Sequence, residues 1–78
     1  MISYDANAVV HINESLTTRQ IHDIERDLSR VKGVVSACVH VKTPHLMVVD
    51  YDPRTMQAGQ LVRHFRRNGL HASLIGGI

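Results

Sequence analysis

Apolar and polar positions alternate along parts of this chain and recur at helical spacing along others, and the switches between the two periods mark out its elements. From Ala8 to Asn13, Ala8, Val10 and Ile12 alternate with Val9, His11 and Asn13, the period of a strand with one buried face. After Thr18 the period lengthens. Ile21, Ile24, Leu28 and Val31 recur at spacings of three, four and three, which predicts an amphipathic helix. Thr17 or Thr18 offers an oxygen to its first turn, and Gly33 supplies the positive φ expected to stop it. Alternation returns from Val34 to Val41, with Ala37, Val39 and Val41 set against Cys38 and His40. Lys42-Thr43-Pro44-His45 predicts a turn, because proline cannot donate to a central ladder. Leu46 to Tyr51 is a third strand with Met47, Val49 and Tyr51 inward, ended by Asp52-Pro53. A second helix is expected over Met56 to Arg67, with Leu61, Val62 and Phe65 on its apolar side. Thr55 is its candidate cap, Gly59 its weak point and Asn68-Gly69 its stop. Leu70 to Ile75 is a last short strand with Ala72 and Leu74 inward.

The resulting order, strand, helix, strand, strand, helix, strand, is the split crossover of α+β ferredoxin-like folds. Right-handed crossovers turn it into a four-stranded antiparallel sheet of spatial order 4-1-3-2, with both helices on one face and the other face bare. The 78 residues make one domain, and 44% apolar with 21% charged residues is the balance of a packed chain. No apolar run spans a bilayer and Met1-Ile2-Ser3-Tyr4-Asp5 has no secretion-signal character, so a cytoplasmic location is expected. Cys38 is the single cysteine, which rules out an internal disulfide and a four-cysteine zinc site. The formal charge is only +2, but Arg63, Arg66 and Arg67 crowd into one segment with His64, and six histidines add positive charge near pH 6.

Gly33-Val34, then Val49-Asp50-Tyr51-Asp52-Pro53, then Asn68-Gly69 resemble the heavy-metal-associated domains of copper chaperones and metal-transporting P-type ATPases. The resemblance runs from about Ala8 to Leu74. It implies a ligand loop after the first strand, Gly-Met-x-Cys-x-x-Cys, whose thiolates hold a soft ion such as copper(I). Counting back from Gly33 puts Thr17 and Gln20 at the two cysteine positions, and Glu14-Ser15 at the Gly-Met pair. Neither Thr17 nor Gln20 supplies a thiolate, so two-thiolate copper(I) transfer is excluded. The partners implied are a metal-transporting ATPase or another acidic protein, steered by the Arg63-Arg66-Arg67 cluster, whose plainer reading is a solvated helix end.

A relocated ligand set is one expectation that survives. On the bare face His11, Asp50, Cys38 and His71 are expected to form a row across adjacent strands, with His11 and His71 the best pair. Zinc, copper(II) or nickel suits that mixture better than copper(I). The plainer reading makes all four solvated polar residues, with Cys38 a small apolar filler. His22 and His64 read as solvated helix positions and His45 as a turn residue. Val9, Leu46, Val48 and Ile75 would leave an apolar patch on the same face, suited to a homodimer.

Other classes fit less well. RNA-recognition modules share the topology but need paired aromatics on the third strand, where this chain has only Tyr51, directed inward. Acylphosphatases use a glycine-rich phosphate loop after the first strand; the corresponding loop here has Arg19, no glycine, and Glu14 to repel an anion. No nucleophile has a partner at a diagnostic spacing, so an enzyme is not expected. The expectation is a non-enzymatic domain that binds or handles a transition-metal ion through histidines without a CxxC motif. The alternative is a docking, regulatory or dimerisation module without metal.

Overall fold

The computed structural model describes residues 5–40 and 42–77. Six elements follow in order: β1 (Ala6–Ile12), α1 (Thr18–Ser29), β2 (Val34–His40), β3 (Thr43–Tyr51), α2 (Ala58–Arg67) and β4 (Ala72–Gly77). The strands form one sheet in the order β2-β3-β1-β4, and every pairing is antiparallel. The α+β ferredoxin-like architecture and strand order expected from the pattern are therefore present. Val41, expected to end the second strand, lies outside the described residues.

Alternation decides which face is covered. Ala8, Val10 and Ile12 of β1 join Met47, Val49 and Tyr51 of β3 in a buried cluster with Leu28 of α1 and Leu61 and Phe65 of α2. Ile24, Val31 and Leu16 pack against this cluster from α1 and its flanks. Both helices thus cover one face, because each carries a single apolar stripe and the sheet offers one apolar side. No helix among the described residues is long and apolar enough to cross a membrane.

Several expected boundaries shift, each for a local reason. Helix α1 stops at Ser29, where the Arg30 N–H reaches the Asp27 and Leu28 carbonyls, so Val31 belongs to the following turn. Gly33 adopts φ +102 in that turn and accepts from the Asp52 N–H at 2.7 Å, tying the end of α1 to the end of β3. Helix α2 begins at Ala58 after Gln57, not Thr55, and Met56 sits in the loop as a buried core residue. The Gln57 N–H donates to Gln60 Oε1 at 2.6 Å.

Strand β3 starts at Thr43, so Thr43, Pro44 and His45 are strand and not turn. Proline is tolerated there because the β2–β3 register breaks between Val39 and His40, and the regular β1–β3 pairing ends at His11 opposite Leu46. In β4, Ala72 is buried as expected. Leu74 pairs with Val10 yet remains 41% exposed on β4, an edge strand. A bulge makes Ile75 an extra residue between the Val10 and Val9 pairings.

Candidate functional site

The entrance to α1 is where the resemblance implies the ligand loop. Thr17 is the N-cap, and its Oγ1 accepts from the Gln20 N–H at 3.2 Å. In return Gln20 Oε1 accepts from the Thr17 N–H at 2.8 Å. This reciprocal pair is a capping box, which satisfies two of the donors every helix start leaves open. Thr17 and Gln20 therefore stand where expected, and both serve the backbone. Thr-x-x-Gln before an apolar stripe was the signal for it in the sequence.

Glu14 secures the same loop from the other side. Its Oε1 accepts from the His71 N–H at 2.8 Å, and its Oε2 accepts from His71 Nδ1 at 2.6 Å. The His71 side-chain hydrogen bond, followed by that from the His71 backbone, holds the Glu14 carboxyl below its ordinary pKa. His71 precedes β4, level with Asn13, whose N–H donates to the His71 carbonyl at 2.9 Å.

The strand registers then place the four expected ligands. His11 stands opposite Leu46 and Ser73. Cys38 stands opposite Val48, whose other neighbour is Val9. Asp50 lies between Asn7 and Ser36, and its Oδ2 accepts from Ser36 Oγ at 2.9 Å. On β1 these levels are Asn7, Val9, His11 and Asn13, two residues apart, and each step is about 6.7 Å. Asp50, Cys38, His11 and His71 thus descend the face in a staircase and do not form the expected row. The span from Asp50 to His71 is about 20 Å, three such steps, against metal–ligand bonds of about 2.0 to 2.3 Å. Among the described residues no group of three or more His, Cys, Asp or Glu side chains is placed to hold a metal ion.

What sequence reading missed is His45. Drawn into β3, it sets Nδ1 2.7 Å from the Ile12 carbonyl oxygen, and its ring stacks on that of His11 with centroids 5.9 Å apart and planes at 21°. A carbonyl only accepts, so Nδ1 carries the proton and donates, leaving the lone pair of a neutral ring on Nε2. That is the arrangement of a metal-ligating histidine whose far nitrogen is anchored by the backbone. Both rings are half-buried. The signal available in the sequence was a histidine one position past Pro44, where β3 comes alongside the end of β1.

Around His11 the face opposite the helices is apolar. Val9 and Leu46 are half-buried, while Val48 and Ile75 are 37% and 57% exposed. On the helix side, Arg63, Arg66 and Arg67 are all exposed. Arg63 and Arg67, with Lys32, border a cavity of about 330 Å³ floored by Leu28, Val31, Met56 and Leu61.

No protein-family model matches the chain. No curated protein matches it either. Solved structures do. A copper-binding domain of a P-type ATPase superposes with a TM-score of 0.82 at 18% identity, covering 92% of this chain and 96% of that one. The N-terminal domain of a potential copper-translocating P-type ATPase from Bacillus subtilis, in its Cu(I)-loaded state, gives 0.82 at 22% identity over 95% of this chain and 91% of the other. The copper chaperone of Enterococcus hirae, in its apo form, gives 0.76 at 22% identity over 87% and 98%. In fold, the chain is a counterpart of the heavy-metal-associated domains of copper chaperones and P-type ATPases.

Proposed function

We propose that this chain is a non-enzymatic domain that binds or handles a transition-metal ion through imidazole nitrogens in place of paired thiolates. The observation that carries the reading is the His11–His45 pair, stacked at 5.9 Å with His45 Nδ1 anchored on the Ile12 carbonyl. Imidazole suits zinc, copper(II) and nickel, and the fold is one that solved copper-binding domains use. His11 keeps the role expected of it, and His45 replaces His71, whose Nδ1 is engaged by Glu14. Cys38 and Asp50 stand one and two levels from His11 and are left as outlying donors.

A partner in this reading is an acidic protein, such as a metal-transporting ATPase, docked against exposed Arg63, Arg66 and Arg67 by attraction that added salt weakens. The second reading, a docking or regulatory module without metal, is favoured by the capping box and the Glu14–His71 clamp, which leave no open ligand loop before α1. Histidine ring resonances followed by NMR during addition of one equivalent of zinc decide between the two. The metal reading expects His11 and His45 to move first and His71 to lag. Unmoved rings throughout leave the docking module.

A further inference from the structure

We infer that the cavity between the end of α1 and α2 binds a small organic anion, a free carboxylate carried on a short apolar body. The site stands apart from the histidine reading, because neither His11 nor His45 lines this cavity. Size is the first argument. The cavity measures about 330 Å³, at the lower end of the range that small-molecule sites occupy. At about 30 Å³ for each water displaced, that volume takes a ligand of roughly ten non-hydrogen atoms. Its floor is apolar. Leu28 and Leu61 form it from the two helices, Val31 from the turn after α1, and Met56 from the loop before α2. Aliphatic side chains offer water no hydrogen bond and the Met56 thioether only a weak one, so the hydrocarbon part of a ligand replaces water on that floor at little loss.

Charge is the second argument. Gln60, Arg63, His64 and Arg67 line the cavity at spacings of three, one and three, which places them on a single face of α2. Lys32 adds a third full charge from the turn between α1 and β2. Among the described residues Lys32, Arg63 and Arg67 have no salt bridge, and no Asp or Glu lines the cavity. Asp27, beside Leu28 in the chain, faces Arg26 at 3.9 Å, and Asp52, three residues before Thr55, is held by Arg54 at 3.1 Å. The positive field over the cavity is therefore unanswered within the chain, and an anion supplies the missing charge. Arg63 and Arg67 stand one helical turn apart, close enough to share one carboxylate by charge-assisted hydrogen bonds. Arg66, the remaining member of the cluster, is not among the lining residues.

The two features act together. All three cations are exposed, so charge pairing alone is screened by water and salt. A neutral apolar molecule leaves the cations without a counter-charge. A carboxylate on a hydrocarbon body uses both at once, and its carboxylate would compete with the acidic partner proposed above for Arg63 and Arg67.

The test is titration of the full chain with octanoate, followed by calorimetry and by the methyl resonances of Leu28, Val31, Met56 and Leu61. The expected result is one octanoate per chain with a Kd of about 1 mM or below, those four methyl groups moving first. Acetate carries the charge without the body, and octan-1-ol the body without the charge. Each is expected to bind at least about tenfold more weakly. Arg63→Ala and Arg67→Ala alter exposed positions and are expected to keep the far-UV spectrum while weakening octanoate on the order of fivefold to tenfold each. Arg19→Ala removes the same charge from the exposed first turn of α1, away from the cavity, and is expected to leave octanoate binding unchanged. No saturation up to about 10 mM overturns the inference. So does acetate bound as tightly as octanoate, or a loss in Arg19→Ala equal to that in Arg63→Ala. An acidic peptide that binds through Arg63 and Arg67 where octanoate does not overturns the small-molecule assignment and gives the cavity to a protein partner. The zinc response of the His11 and His45 rings is a separate readout, so either reading can fail and leave the other standing.

Discussion

Glu14 and His71 meet through two hydrogen bonds, and one of the partners titrates in the acid range. The Glu14 carboxyl is held below its ordinary value of 4.5 by its bonds from His71, so the folded chain favours the ionised form. A carboxyl depressed in this way contributes stability that is complete above its unfolded pKa and is lost as pH falls through its folded one. Wild type and Glu14→Gln should therefore differ most near neutrality, and their urea midpoints should converge between about pH 5 and pH 3. A constant gap across that range contradicts the clamp. Residues of this kind show the limit of sequence reading. Glu14 and His71 are 57 positions apart, and only the closing of β4 against β1 makes them neighbours. His45 was hidden differently: Pro44 argued for a turn, and the break in the β2–β3 register that lets a proline sit at the head of β3 leaves no mark in composition.

At the scale of elements, the periodic stripes were legible and the ends were not. Leu28, Leu61, Val62 and Phe65 are buried as their spacing required, because helical period and apolar type are both local properties. Helix ends depend on what docks against them. Gly33 read as the stop of α1, yet its positive φ shapes the turn against which the loop before α2 packs: a Cβ there would meet Met56 Cγ at 3.0 Å and Thr55 Cγ2 at 3.2 Å. Gly59, by contrast, has open space around it inside α2. The two glycines should answer opposite ways to one added methyl. Gly59→Ala is expected to stabilise by about 0.4 to 1 kcal/mol, and Gly33→Ala to destabilise by more than about 1 kcal/mol. Chemical unfolding of both variants checks this. A Gly33→Ala protein as stable as wild type would remove that glycine from its place between α1, β3 and α2.

At the scale of the whole molecule, topology followed from the order of elements, because right-handed crossovers and one apolar sheet face leave few alternatives. Register did not follow. Alternation says which side of a strand is buried, but not how far one strand slides along the next in steps of two, and that sliding turned the expected row of His11, Asp50, Cys38 and His71 into a staircase. The fold is shared with copper-binding domains, while the entrance to α1 is closed by a capping box, and the function proposed above assigns metal binding to His11 and His45. X-ray absorption at the zinc edge of the loaded chain tests that most directly. The account predicts a first shell of nitrogen and oxygen at about 2.0 to 2.1 Å with imidazole scattering beyond it, lost in His45→Gln. A sulfur shell at about 2.3 Å, or an unchanged spectrum in that variant, contradicts it.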